Sequence, residues 1–528
     1  MFKFIRLQNT VAGGAIIIAL FSIFSRLLGL LRDRFLSSSF GAGQVLDAYY
    51  AAFRLPDLVF NTLVLGAFSS AFIPVFLQYF SQDKKQAWQI TSSVLNILFL
   101  IVLFLAVLFF ILAPLIINLM VPGFTQEVRI LTVSLTRIML ISILFFTLSN
   151  VAGSVLNSFR RFLIYSIAPI MYNLGIIFGI LFLTKTSLGL MGLAWGVVLG
   201  SVLHFLVQVP ALLQTGYAWK PVFNLFHPAL KKIVKLMLPR CFGLAINQFN
   251  FIVVTFIASV ITIGAVAIYN LAFNLVSFPV GIFGVSLAIS IFPLLSQNFI
   301  DGERSAFSRQ FSKTIRQILY LIVPTTVLFI ALRAQIVRLI LGAGVFSWRD
   351  TVLTAQTLGW FSISLFTQSL IPIFARAFYA TQDTKTPVKI ALVSFLINII
   401  GCAVLGPLIG ITGLAVAFSL SSLVNFILLY LVFHKKVIDL QNREIGWSVL
   451  KIIGLCLLMA IVVQAIKYQA AALVDMQTFI GVFIQTASAI IGGVLFYFLM
   501  SLAFKFSEIE MVYQMIARRL RIFKDLLK

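Results

Sequence analysis

The 528 residues are 61% hydrophobic and only 10% charged, with a mean hydropathy of +1.09; no soluble globular domain has this balance, so the chain reads as a polytopic membrane protein. The net charge of +24 would suit nucleic acid, but most of the 39 Lys and Arg sit in short connections on alternate sides of apolar runs, the positive-inside arrangement, so no nucleic-acid partner is expected. Cys241, Cys402 and Cys456 all lie in apolar segments, and His204, His227 and His434 lack metal-ligand spacing. Neither a disulfide framework nor a metal site is expected, and no cofactor.

The chain opens with Lys3 and Arg6 ahead of an apolar run, like a signal peptide. The run continues past Arg26 without a small-residue cleavage pattern, which predicts a retained first transmembrane helix. Apolar runs of about 20 residues, each able to cross a hydrocarbon core of about 30 Å, then recur to the end of the chain. About fourteen spans are expected. They fall at 10–31, 45–80, 86–119, 128–158, 161–184 and 188–214, then at 229–261, 264–297, 309–342, 350–380, 385–407 and 411–433, and finally at 447–468 and 476–504. The connections at 81–85, 160–161, 301–313, 381–389 and 434–444 are basic, as is the cluster Lys231, Lys232 and Lys235. The alternate connections 121–126, 262–265 and 406–410 carry almost no charge. This alternation places both termini in the cytoplasm.

Internal repetition divides the chain. Pro74, Gln78 and Phe80 at the end of the second span recur as Pro293, Gln297 and Phe299 at the end of the eighth, and Tyr50 and Tyr269 keep the same separation. Gly192, Leu193 and Ala194 in the sixth span likewise match Gly413, Leu414 and Ala415 in the twelfth, with Ser201 matching Ser422. The expected fold is therefore all-α, two six-helix parallel repeats plus a C-terminal helix pair, an architecture used by transporters with a site near the bilayer midplane. The divisions are an N-lobe at 1–214, a cytoplasmic linker at 215–228, a C-lobe at 229–433, an extra helix pair at 434–506 and a tail at 507–528. In the tail, Ile509, Val512, Ile516, Leu520, Phe523 and Leu527 recur at helical spacing with Arg518, Arg519, Arg521 and Lys524 between them. That pattern predicts a basic amphipathic helix held on the inner membrane face by anionic lipid.

Charges inside apolar spans mark the candidate site, because an ionisable group at membrane depth costs several kcal/mol unless it faces water or a partner. Arg26, Arg32, Asp33, Asp47, Arg54 and Asp57 crowd the first two spans. Asp47 and Arg54 lie two helical turns apart, about 10 Å along one stripe. Arg54 and Asp57, three apart, can pair directly, and Pro56 between them removes a backbone hydrogen bond. Two readings stand for the arginines: they snorkel to the surface or pair locally, or they face a wet cavity and bind an anionic head group, for which the planar guanidinium fork suits a diphosphate. Arg240, in the seventh span, either lines that cavity with Gln248 or reaches the inner interface. Asp33 and Asp57 are the groups available for ion pairing or coupling.

The segments SRLLGLLRD at 25–33, FGAGQVLDAYYAAFRLPDL at 40–58, GAFSSAFIPVF at 66–76, SVLNSFRRF at 154–162 and FYATQDTKTPVKIA at 378–391 resemble the MurJ (MviN) family of lipid II flippases, within the multidrug/oligosaccharidyl-lipid/polysaccharide (MOP) exporter superfamily. The resemblance spans nearly the whole chain. It implies flipping of undecaprenyl-diphosphate-linked disaccharide pentapeptide, the peptidoglycan precursor, from the inner to the outer leaflet of the bacterial cytoplasmic membrane. It also implies two lobes rocking around a cationic cavity, a lateral opening between the first and eighth helices, a final helix pair with a groove for the lipid tail, and no enzymatic chemistry. Arg26, Arg32 and Asp47 match positions important in the family, and Arg54 matches a basic one. A monomer is expected.

The departures are specific. Where the family carries an arginine and then a glutamate in the second helix, this chain has Phe60 and Leu65, and where it carries such a pair in the eighth, this chain has Asn274 and Ser277. Acid and base disappear together, as when ion pairs are replaced by apolar groups. Other readings left open are a flippase for another polyprenyl-linked saccharide, a drug antiporter of the same superfamily, and a non-transporting scaffold. A membrane transferase would need clustered acidic metal ligands, and the inner loops offer only isolated Asp83, Asp301, Asp383 and Asp439.

Overall fold

A computed structural model describes residues 11–436 and 440–510. All regular structure among them is helical. Beyond Glu510 the expected amphipathic tail lies outside the described residues. Eleven described helices are long and apolar enough to cross a membrane, and twelve if a pair bent by 44° at Ser364 forms one span. The chain divides into two compact units, Met1–Ala267 and Ile268–Lys528.

The first unit opens with α1 (Val11–Phe40), which runs nine residues past the expected end at 31 because Arg32 and Asp33 pair with each other instead of starting a loop. The expected second span runs through α2 (Gln44–Ala52), α3 (Arg54–Val59), a π-helical stretch (Phe60–Phe68) and α4 (Ser69–Gln82), and the junctions at Phe53, Phe60 and Ser69 keep right-handed helical dihedrals. Then come α5 (Lys84–Met120), α6 (Gln126–Ser158), α7 (Phe162–Leu181), α8 (Met191–Leu206), the short α9 (Val209–Leu213) and α10 (Pro228–Ile261). Asp83 starts α5 by accepting the Lys85 and Gln86 amides, and His227 with Pro228 starts α10. A phenylalanine ladder runs from Phe68, at the end of the π-helical stretch, through Phe72, Phe76 and Phe80 of α4 and meets Trp88 and Phe159, filling the core between α4, α5 and α6.

The polar segment at 215–228 is strapped to α5. Trp219 donates its indole N–H to Asn96 (2.8 Å), Asn96 donates back to the carbonyls of Lys220 and Val222, and Tyr217 meets Ser92. Its backbone groups thus find partners without regular structure.

The second unit contains most of α11 (Ala265–Pro279), a π-helical stretch (Val280–Val285), and then α12 (Ser286–Ile300), α13 (Arg304–Ala331), α14 (Arg333–Ile340), α15 (Trp348–Ile363), α16 (Leu365–Ala380), α17 (Lys385–Ile409), α18 (Ile411–Lys436), α19 (Asn442–Leu473) and α20 (Phe479–Ala503). The break at Ser364 is satisfied by side chains: Ser419 donates to the Trp360 carbonyl, and Ser364 Oγ accepts from Gln368. The extra pair packs on α13, where Tyr497 donates to the Tyr320 carbonyl and Arg316 faces Glu444 and the buried Glu508.

The sequence repeat has a structural counterpart within each unit. A π-helical stretch precedes the Pro74 segment and another precedes the Pro293 segment. Gly192 and Gly413 play one role: a Cβ on Gly192 would lie 2.5 Å from the Leu183 carbonyl carbon, and one on Gly413 2.5 Å from that of Leu405. Gly192 thus opens α8 against the 3-10 turn Leu183–Lys185 that follows α7, and Gly413 opens α18 against the backbone of α17, approaches that only a residue without a side chain allows.

Candidate functional site

The polar residues of the first unit fall into three neighbouring arrangements. In the first, Arg26 of α1 lines a cavity of about 450 Å³ with Ser22, Ser25, Phe60, Asn150, Tyr165 and Ser166, and with Ser149, His204 and Gln208. Arg26 is accessible, whereas Ser149 and Gln208 are buried to 1% exposure. Gln208 donates to Ser149 Oγ and to the His204 carbonyl, and Ser149 Oγ lies 2.6 Å from His204 Nδ1. With the Ser149 proton directed to Nδ1, the imidazole N–H sits on Nε2. Asn150 accepts from Ser69 (2.9 Å). One permanent cation is thus set among hydroxyl, amide and imidazole groups, a wall suited to an anion that also carries hydroxyls and amides.

The second arrangement lies further along α1. Arg32 donates to Asp33 Oδ1 through Nη2 (2.8 Å) and Nε (3.0 Å), and through Nη1 to Asn173 Oδ1 (3.3 Å). Asn173, 7% exposed, also donates to the carbonyls of Pro169 and Ser25. Asn173 therefore joins α1 to α7 while Arg32 keeps a buried carboxylate company, as a charge inside a membrane protein requires.

The third concerns Asp47 and Arg54. Asp47, 2% exposed, accepts the Gly264 amide (2.6 Å) and the Ala267 amide (2.8 Å), so its carboxylate caps the start of α11 and meets the positive end of that helix. Arg54 is 8% exposed; its Nε donates to Thr255 Oγ1 (2.8 Å) and its guanidinium lies 5.3 Å from the Phe251 ring centre. Asp57 is within Coulombic reach of Arg54. Both α3 and α10 are tied by this contact, and Arg54 is not on the wall of the Arg26 cavity. Arg240 is exposed on α10 and is likewise not on that wall.

Of the positions where the family resemblance would place charge, Phe60 meets Phe146 on the cavity wall, with ring centres 4.6 Å apart and the planes tilted by 35°. Ser277 bonds back to the Phe273 carbonyl of its own helix, and Asn274 is half-buried on the same helix. The side chain of Leu65 lies outside the described residues. Asn173, Ser149, Asn150, His204 and Gln208 were not singled out by sequence. Uncharged groups on three separate helices leave no spacing pattern, and only a polar residue interrupting an apolar run could have flagged them.

The family model for "Lipid II flippase MurJ" matches residues 36–484. The chain belongs to the MurJ lipid II flippase family. A Buchnera aphidicola (subsp. Acyrthosiphon pisum) protein named "Probable lipid II flippase MurJ" is 31% identical over 493 residues, 92% of this chain and 96% of that protein. The "Lipid II flippase MurJ" of Burkholderia cenocepacia is 30% identical over 453 residues, 83% of this chain and 87% of the relative. A solved structure of a lipid II flippase MurJ in an inward closed conformation aligns with TM-score 0.77 and 26% identity over 93% of this chain and 99% of its own. An inward-facing multidrug resistance MATE family transporter of the MOP superfamily aligns with TM-score 0.67 at 16% identity, a likeness of fold. The MurJ-family chain is a multi-span membrane protein whose all-helical fold is that of these transporters.

Proposed function

We propose that this MurJ-family protein moves lipid II, the undecaprenyl-diphosphate-linked disaccharide pentapeptide, from the inner to the outer leaflet of the bacterial cytoplasmic membrane by alternating access of the two lobes defined by the repeat. It works as a monomer with both termini cytoplasmic, an orientation supported by the basic connections, and it does no covalent chemistry on its cargo. The observation that carries the reading is the family match over most of the chain, together with Arg26 on a polar cavity wall.

In this reading Arg26 holds the diphosphate, and the Ser149, His204 and Gln208 group meets sugar or peptide donors and acceptors. Arg32, Asp47 and Arg54 hold α1, α2 and α3 in place through Asn173, Gly264, Ala267 and Thr255. Arg240, exposed on α10, offers a second guanidinium to the head group. A strain depleted of its own lipid II flippase tests the assignment: expression of this chain restores growth, and failure to restore it at normal membrane abundance overturns it. Phe60, Asn274 and Ser277 favour one competing reading, a different polyprenyl-linked saccharide, which a vesicle assay comparing lipid II with other polyprenyl-diphosphate sugars separates.

A further inference from the structure

The second unit contains a polar cavity, of about 440 Å³, between the end of α13, the start of α14 and the α19 helix. Arg333, Lys467, Gln464 and Gln335 line it together with apolar walls that include Val327 and Ala460. The two cations are within Coulombic reach of each other, and among the described residues neither forms a salt bridge. Arg333 donates to the Ile330 carbonyl (2.9 Å) and Lys467 to the Ala331 carbonyl (3.2 Å), so both cap the last turn of α13, where the helix dipole favours positive charge.

Capping alone leaves most of their donors unused, since a guanidinium carries five and an ammonium three. It also does not account for Gln464, whose Oε1 is buried without a hydrogen-bond partner among the described residues. The surrounding side chains are tied to one another. Gln485 donates to the Lys467 carbonyl and accepts from Gln335, and the Arg333 side chain passes over Gly359, where an added Cβ would lie 3.0 Å from Arg333 Cδ. Two like charges held side by side, with a vacant acceptor in the same cavity, fit a ligand that brings a negative phosphoester and a hydroxyl donor together. The apolar walls and the position at the ends of membrane-crossing helices favour a lipid, because Lys and Arg near such ends reach the interface where the phosphates of the bilayer lie.

We propose that this cavity is a binding site for the head group of an anionic glycerophospholipid, with the phosphodiester on Arg333 and Lys467 and a glycerol hydroxyl on Gln464. By the topology that the loop charges give, it faces the outer leaflet. The site is separate from the Arg26 cavity and does not depend on the identity of the transported lipid.

Native mass spectrometry of the full-length protein released from nanodiscs containing phosphatidylglycerol, phosphatidic acid or phosphatidylcholine tests this. The wild type retains phosphatidylglycerol over phosphatidylcholine, and Arg333→Gln with Lys467→Gln weakens that retention about tenfold or more. Arg333→Lys with Lys467→Arg keeps it, which separates loss of charge from loss of fold. Gln464→Leu lowers retention of phosphatidylglycerol more than that of phosphatidic acid, whose head group has no glycerol hydroxyl. A thermal shift with soluble glycerol phosphate that vanishes in the double variant assigns the same anion site to free phosphoesters as well, and no such shift confines it to lipid. Equal phosphatidylglycerol retention by the wild type and the double variant, or no preference over phosphatidylcholine, overturns the proposal.

Discussion

Asp47 and Gly264 meet through a 2.6 Å hydrogen bond in which the Gly264 amide donates to the buried carboxylate. The bond depends on Gly264 in two ways: its φ is +85°, and a Cβ there would lie 2.0 Å from the Ala42 carbonyl oxygen. A charge two turns from Arg54, which by sequence alone could belong to a binding site, thus ties the start of α11 to α2.

Asp47→Ala leaves the Gly264 and Ala267 amides buried without acceptors, at about 1–3 kcal/mol each. The unfolding midpoint in detergent should fall markedly. Asp47→Asn, which keeps one good acceptor, should fall less. Gly264→Ala, which adds backbone strain to a clash, should be the worst of the three, with little folded protein recovered. An Asp47→Ala protein as stable as the wild type would contradict this role.

Arg316 faces Glu444 at 3.3 Å and Glu508 at 3.7 Å, and Glu508, 3% exposed, also accepts from Ser448. Removing one member of a buried ion pair strands the other, at about 3–5 kcal/mol. Arg316→Ala should therefore loosen α19 and the segment around Glu508 from α13. Hydrogen exchange at 442–455 and 505–510 should accelerate while exchange in the first unit stays unchanged.

Asp383, in the turn between α16 and α17, gives a pH prediction. Burial disfavours its ionised form, but hydrogen bonds from Lys436 and Thr386 and the attraction of the Lys436 ammonium outweigh that and hold the carboxyl below its usual range. A depressed folded pKa means that the stabilisation is complete above the unfolded value near pH 4 and is lost as pH falls through the folded one. Proteolysis within 381–389 should thus rise below about pH 4. Asp383→Asn should show the raised rate at neutral pH and a flatter acid limb, and an unchanged acid limb would count against the assignment.

Much of the fold was legible because spans announce themselves by length and hydropathy, and because the repeat fixed which segments correspond. What stayed hidden were the places where backbone departs from a straight α-helix. Nothing in 45–80 signals the π-helical stretch from Phe60 to Phe68, whose Leu63 to Phe68 continue the apolar run and whose Asn61 and Thr62 are polar in a way common to ordinary helices. The site was half legible. Arg26 and Asp47 stood out because charge is rare in such helices, whereas the Ser149, His204 and Gln208 group draws on α6, α8 and the residue between α8 and α9 and acquires meaning only once those helices are packed. Arg32 and Arg54 were visible as charges, but their partners Asn173 and Thr255 lie in distant helices.

The central claim, that Arg26 holds the diphosphate of a lipid-linked cargo, is tested most directly by reconstituting the purified protein in vesicles and following leaflet exchange of fluorescent lipid II. Loss of a charge-assisted contact worth about 1.5–3 kcal/mol predicts that Arg26→Ala slows exchange by about ten- to a hundredfold, that Arg26→Lys keeps an intermediate rate, and that the folded fraction is the same in all three. Exchange by Arg26→Ala at the wild-type rate would contradict the account.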